Sequence, residues 1–388
     1  MTKDFIPFGL PLIEDEEIEE VLDTLKSGWL TSGPKTKAFE EEFSKFVGIP
    51  HAIAVNSATA GLHLALEAIG IKEGDKVITT PYTFTATAEV IRYLGADPVF
   101  VDIDPLTLNI DPNNLKDLVG VPNIKAIIPV HFAGQTCDMD AINLVAKAAG
   151  WKVIEDSAHA LPATYNGKMA GTLGDVAAYS FYATKTITTG EGGMAVTADD
   201  EIAERMRCMR LHGINRDVFS RYTDRYPSWY YEVIAPGFKY NMTDIAAAIG
   251  IQQLKKAWKF QERRKKIAEL YNESFKDLPL TLPFHKNNND IHSWHLYVIQ
   301  LDIKSLKISR DQFIELMSKE GIGTSVHFIP LHIQPYWKNK YKYNPDDFPI
   351  SYETYQKAVS LPIYPKMSDK EVDRAIQAVN KIITQYAK

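Results

Sequence analysis

The sequence predicts an α/β protein in which a mostly parallel seven-stranded sheet lies between helices and a smaller α+β unit follows. Three observations carry this. Seven short apolar runs alternate with helical patterns between residues 52 and 197, the rhythm of a parallel sheet covered on both faces. That rhythm breaks near residues 255–265. At 388 residues the chain is too long for one small core.

The elements follow in order. DEEIEEVLDTLK (15–26) sets Ile18, Val21, Leu22 and Leu25 on one helical face. SGWLTSGP then reads as a loop, and Phe39, Phe43 and Val47 mark a second helix. Strands are expected at 52–57, 75–81, 97–104, 124–132, 151–158, 176–181 and 192–197, and helices at 59–70, 84–95, 139–150 and 202–213. Residues 214–240 have no clear period, as in a functional or interface loop; Arg216, Arg221 and Arg225 there are candidates for diphosphate contacts or a solvated charge cluster. Residues 243–260 read as a helix capped by Thr243 or Asp244. Beyond it, strands at 294–301 and 323–329 surround a helix at 309–321, and 367–387 is a closing helix. The expected units are therefore 1–260, a large cofactor-binding domain, and 261–388, a small C-terminal domain.

Apolar residues make up 45% and charged residues 24%, an ordinary globular balance. The net charge of −6 argues against a nucleic-acid coat, though not against a small anion held by local donors. Cys137 and Cys208 make neither a disulfide framework nor a zinc site, so no metal is expected. The first residues lack an apolar signal region, and no run approaches the ~18 apolar residues that cross a bilayer. A cytoplasmic protein is expected.

Ligands of open parallel sheets bind at the carboxyl ends of the strands. After 52–55 comes NSATAG, whose small residues open a helix and offer free N–H groups to a phosphate, or are a plain N-cap. After 75–80 comes Phe84, a stacking platform or a core residue. After 151–154 come Glu155 and Asp156, with His159 three residues on; a buried carboxylate there needs a positive partner, and a surface turn is the alternative. After 176–181 comes YATKTITTGEGG, in which Lys185 is a solvated loop lysine or, if buried, a nucleophilic amine. Together these describe a phosphate, a ring, a cation and a carbonyl, which are the parts of pyridoxal phosphate.

NSATAGLH, VIEDSAHA, SFYATKTITTGEGG and APGFKYNMTDIAAAIG, in that order and spacing, resemble the DegT/DnrJ/EryC1/StrS family of fold type I, pyridoxal-phosphate-dependent sugar-nucleotide aminotransferases. The resemblance runs from GLPLIEDEEIEE through IHSWHLYVIQL and GIGTSVHFIPLH. It is strongest to the C4-aminating branch typified by the UDP-4-amino-4-deoxy-L-arabinose synthase. It implies that Lys185 is the Schiff-base lysine and Asp156 the partner of the pyridine nitrogen. It also implies that Phe84 stacks on the ring, that Ala58, Thr59 and Ser180 bind phosphate, and that His159 lies against the cofactor. Asn241 would reach the phosphate site of the other subunit, making a homodimer. Trp29, Thr31, His327 and His332 would border the sugar nucleotide. This chain has TKT where relatives read TKN, and its HFIPLH departs from the arabinose enzyme's pattern.

The activity so implied is ping-pong transfer of an amino group from L-glutamate to C4 of a nucleotide-linked, UDP-linked 4-keto-deoxy sugar, in surface polysaccharide or lipopolysaccharide biosynthesis. The alternatives are a C3-aminating or dTDP- or GDP-sugar aminotransferase of the same family, or a sugar dehydratase. Relatives of the last kind replace the lysine with His, and two cysteines cannot hold a four-cysteine cluster. A dinucleotide oxidoreductase lacks its G-x-G-x-x-G, because GEGGM leads into a strand. A DNA-binding regulator would need a basic extension that the sequence does not carry.

Overall fold

The computed structural model describes residues 5–215, 230–285 and 289–388, so Arg216, Arg221 and Arg225 lie outside the described residues. Two helices come first, α1 (Asp15–Ser27) and α2 (Pro34–Val47). A Glu14/Glu17 capping box starts α1, three acids fill its first turn, and Gly28 ends it at φ 76°. Its expected apolar face turns outward: Ile18, Leu22 and Leu25 are 51%, 47% and 49% exposed. Glu17 and Thr24 face inward instead, because Glu17 takes hydrogen bonds from Gln253 Nε2 and Lys256 Nζ, both at 2.9 Å.

The large sheet comes from β1 (His51–Val55), α3 (Ala58–Ala68), β2 (Lys76–Thr79), α4 (Ala86–Tyr93), β3 (Asp97–Phe100), β4 (Ile124–Ile127), α5 (Met139–Ala149) and β5 (Lys152–Asp156). A hairpin of β6 (Thr164–Tyr165) and β7 (Lys168–Met169) intervenes before β8 (Val176–Ser180), β9 (Gly193–Thr197) and α6 (Asp200–Met209). The order is β1-β9-β8-β5-β4-β2-β3, with β9 antiparallel to both neighbours and the other four pairings parallel. This is the expected seven-stranded, mostly parallel sheet. Alternate residues of β1 bury on opposite faces, as the two-residue period of a strand requires. Ile53 and Val55 join Leu62, Leu66 and Ile154, while Ala52 and Ala54 join Phe39, Phe43 and Tyr179. Burying a side chain such as Phe43 contributes about 1.5–3 kcal/mol. The hairpin turn, Asn166-Gly167, has φ of 50° and 77° at its two central residues, the primed turn that Asn-Gly favours.

The expected helix at 243–260 is two helices, α7 (Asp244–Lys255) and α8 (Ala257–Phe275), so residues 260 and 261 lie inside α8. Thr243 caps α7 through Ala246 N–H. Asp244 instead takes the N–H groups of Gly33, Lys35 and Thr36 at 2.7, 3.0 and 2.9 Å, capping α2 from more than 200 residues away. The remaining elements are β10 (Leu280–Thr281), β11 (Tyr297–Leu301), α9 (Arg310–Lys319), α10 (Pro335–Tyr341), α11 (Pro349–Lys357), β12 (Ala358–Leu361) and α12 (Asp369–Tyr386). Strands β10, β11 and β12 form a three-stranded antiparallel sheet. The strand expected at 323–329 is corrected: that segment makes one isolated bridge, Ser325 to Ser360, and β12 takes the ladder position. The core of this second sheet includes Ile6, so the start of the chain packs on its end.

Candidate active site

A cavity of about 490 Å³ opens at the carboxyl ends of β1, β2, β5 and β8. Ala58, Thr59, Phe84, Asp156, His159, Ser180, Lys185 and His327 all border it. Five separate sequence stretches therefore converge on one space of small-ligand size.

Its floor is a helix start. Ser57 caps α3 by accepting the Ala60 N–H at 3.1 Å, and Ala58 and Thr59 occupy the first turn, where N–H groups lack intrahelical acceptors. Gly193 of β9 sits between Val55 and Ser180 in register. A Cβ there would lie 2.6 Å from Ser57 C and 2.7 Å from Ala58 N, so only glycine lets the sheet and the helix start approach this closely. Ser180, at the end of β8, borders the same corner.

Strand alternation separates the two acids of EDSAHA. Glu155 is fully buried away from the cavity, bonded to His131 Nε2 at 2.8 Å and to the N–H groups of Gly171, Leu173 and Gly174. Asp156 points to the cavity and is 6% exposed. Main-chain bonds with Pro129 and His131 extend the β4–β5 pairing and fix it. Its carboxylate accepts from Thr87 Oγ1 at 2.8 Å and from Ala158 N–H at 3.1 Å. Burial pushes its carboxyl above the usual range, against those two bonds and the charges of Lys185 and His131.

Lys185 follows β8 in a loop that folds back on Phe181, whose carbonyl accepts from Thr189 N–H and Thr188 Oγ1. Phe181 is fully buried against Phe39 and Phe43 and anchors that loop. Lys185 keeps partial contact with solvent through the cavity mouth, yet protein surrounds its amine. Burial lowers its pKa to about 8, and the attraction of Asp156 opposes that shift. An amine so placed is a far better nucleophile at neutral pH than a surface lysine.

His159 Nδ1 accepts the Ala133 N–H at 3.3 Å, and burial keeps the ring neutral, so its proton sits on Nε2. Phe84 is 60% exposed, which excludes its core reading and leaves its face to the cavity. The resemblance does not mark Phe8, Thr87, His295 and Phe328, which also border the space. The His295 ring lies 4.4 Å from that of His159. Arg264 of α8 fixes its backbone by donating to the carbonyls of Trp294, His295 and Ile363. HSWHLY contains His295, but its role depends on a fold contact that no local pattern displays.

Four expected residues lie elsewhere. His332 is fully buried with its ring 5.0 Å from Phe348, captured by an aromatic cluster with Phe100 and Trp337, and does not border the cavity. Asn241, Trp29 and Thr31 gather around Ser32. Asn241 Nδ2 donates to Ser32 Oγ at 2.7 Å, Trp29 Nε1 to the Ser32 carbonyl at 3.1 Å, and Thr31 O accepts from Asp244 N–H at 3.3 Å.

The donor set fits pyridoxal phosphate: free helix N–H groups for a phosphate, a buried carboxylate for a ring cation, and an amine of lowered basicity for a carbonyl. Similarity to known proteins agrees with this. Over 381 residues the chain is 51% identical to the spore coat polysaccharide biosynthesis protein SpsC of Bacillus subtilis, covering 98% of this chain and 97% of SpsC. Among solved structures it resembles Spr1654 of Streptococcus pneumoniae, assigned as a sugar aminotransferase. The PMP form of Spr1654 has 34% identity and a TM-score of 0.91, with 98% of this chain and 99% of that one covered. Its PLP form has a TM-score of 0.90. Helicobacter pylori PseC, an aminotransferase involved in the biosynthesis of pseudoaminic acid, matches at 31% identity and TM-score 0.91, covering 99% of this chain and 100% of PseC. Residues 11–380 match the DegT/DnrJ/EryC1/StrS aminotransferase family. The chain belongs to the DegT/DnrJ/EryC1/StrS aminotransferase family.

Proposed function

We propose that this sugar aminotransferase, which works with pyridoxal phosphate, moves the amino group of L-glutamate to C4 of a nucleotide-linked 4-keto-deoxy sugar, UDP-linked, for a surface polysaccharide. The observation that carries this is the convergence of Lys185, Asp156 and the α3 start on one cavity. When bound, the cofactor supplies a carbonyl for amines and a ring that stores the electrons of a deprotonated carbon.

The chain's own groups do the rest. Helix N–H groups at Ala58 and Thr59, with Ser180, hold the phosphate. Asp156 would pair with the ring nitrogen and keep it protonated through a charge-assisted hydrogen bond. Phe84 would pack on the ring. His159 offers its Nε2–H. Lys185 takes the proton from the substrate carbon on Nζ and returns it, a task suited to a group with a pKa of about 8. His327, rather than His332, is the histidine of its segment that borders substrate, since His332 is buried elsewhere.

Three further readings belong to the proposal. Asn241 completes the site of a second copy in a homodimer, which its position outside its own cavity supports. Residues 1–260 and 261–388 act as the cofactor-binding and substrate-covering units. The enzyme works in the cytoplasm; among the described residues no helix is long and apolar enough to cross a membrane. The test is to incubate the loaded protein with L-glutamate and a panel of UDP-, dTDP- and GDP-linked 3-keto and 4-keto sugars, and to weigh the products. A 4-amino product from a UDP-linked sugar is expected. A 3-amino product, or exclusive use of another nucleotide, overturns the C4 or the UDP part.

A further inference from the structure

The side of the cavity opposite the sheet is built from segments far apart in the chain. Ile6, 1% exposed, donates its N–H to Gly321 O at 2.8 Å, and Gly323 N–H donates to Ile6 O at 2.7 Å. Gly323 is required at this seam, because a Cβ would lie 2.8 Å from Phe8 N. Further along, Ser325 and Ser360 exchange main-chain hydrogen bonds of 3.1 and 2.8 Å. The start of the chain, residues 321–328 and β12 thus form one frame.

Two rings of that frame enter the cavity. Phe8 stacks on His327 with centroids 5.4 Å apart and planes at 29°. On the edge of the same imidazole, Nδ1 lies 2.8 Å from Ser360 Oγ. The His327 carbonyl accepts from Tyr82 OH at 2.7 Å, which fixes the backbone beneath the ring. One face and one nitrogen of His327 are therefore occupied by protein, and Nε2 remains for a ligand.

We propose that Phe8 and Ser360 are positioning residues that hold His327 with Nε2 toward the sugar acceptor, so that this frame sets acceptor affinity. Phe8 also offers that acceptor an apolar wall. This rests on the keto-sugar reading of the site. The choice of the sugar over the amino donor follows from chemistry. Burial and the nearby Lys185 hold His327 neutral, near a pKa of 4. A neutral imidazole is a weak counter-charge for the carboxylates of glutamate but pairs well with a hydroxyl. The rings of Phe8 and Phe328 border the same space and suit the C–H face of a sugar ring.

The experiment separates the two half-reactions in the full-length, cofactor-loaded protein. Visible absorption of the lysine-bound cofactor is followed as L-glutamate discharges it and a nucleotide-linked 4-keto sugar restores it. Nitrogen-15 NMR of the histidine rings is recorded without substrate. F8A and S360A are each expected to raise the KM for the keto sugar about tenfold, the loss of one hydrogen bond or ring contact. The glutamate half-reaction should change far less. F8Y should restore the KM, and S360A should shift the His327 ring-nitrogen signals. Equal slowing of both half-reactions means a merely structural role and overturns the proposal, as do unshifted His327 signals in S360A. Wild-type protein that converts no keto sugar overturns both this inference and the reading beneath it. Wild-type protein that converts one, with both variants unaltered, overturns this inference alone.

Discussion

The two sides of the cavity are made in opposite ways. The sheet side comes from strand ends and the turns that follow them: Ser57–Thr59, Asp156, Ser180 and Lys185, each within a few residues of a buried strand. The opposite side comes from Phe8, His295, His327 and Phe328, supplied by the chain's start and by segments beside its second sheet. The sheet side carries the charges and the reactive amine. The other side carries aromatic rings and histidines that burial keeps neutral. A chemical step common to both substrates belongs on the first, and discrimination between substrates on the second.

Substitutions can break this division. The largest effect is expected for Lys185→Ala or Lys185→Arg, which should lower turnover by about 10⁴-fold or more in both half-reactions while the protein stays folded. Retained transamination in either variant would remove Lys185 from its role. Asp156→Asn should keep the cofactor but lower kcat by about 10²–10³-fold, since the ring nitrogen loses its counter-charge. Unchanged kinetics would mean that the buried carboxylate serves only Thr87 and Ala158.

Gly193→Ala should weaken cofactor binding about tenfold and lower stability by about 1–3 kcal/mol, because its Cβ meets the backbone of Ser57 and Ala58. Equilibrium titration of the cofactor with thermal melting checks both. Phe84→Ala should cost only a few-fold in cofactor affinity, as the ring is 60% exposed and would give the cofactor a single stacking contact.

A further effect is on stability. Folding lowers the Lys185 pKa from 10.5 to about 8, so between these values the unfolded chain holds more protons than the folded one. Without cofactor, stability should therefore rise with pH from about 8 to about 10.5. The difference between wild type and Lys185→Met should show a rise on the order of 2 kcal/mol, reduced by screening through the cavity mouth. A difference flat with pH would mean that the amine is not desolvated.

The same division governs what the sequence displays. NSATAG, EDSAHA and YATKTITTGEGG are local, so strand period and strand-end position alone bring Asp156 and Lys185 toward one edge. The Asn166-Gly167 hairpin was equally local in YNGK, yet its two-residue strands are too short for a period to register. The frame around His327 has no local signature. Residues 323–329 read as a strand, but only Ser325 makes a β-bridge there, and His327 and Phe328 border the cavity instead. Helix α1 misleads in another way. Its apolar stripe has helical spacing, but ion pairs and amide bonds to α7 and to Lys256, at the α7–α8 junction, fix the inner face, and spacing cannot say which face that is. Long-range polar pairing such as Asp244 with the start of α2 is likewise invisible in a one-dimensional pattern.

If the sheet side holds the cofactor through Lys185, the two are joined by a reducible bond. The most direct measurement is to add pyridoxal phosphate to the purified protein, reduce with borohydride, digest, and locate the phosphopyridoxyl mass by tandem mass spectrometry. One modified residue is expected, Lys185, with the adduct absent from Lys185→Ala. An adduct on another lysine, or none at stoichiometric cofactor, would contradict it.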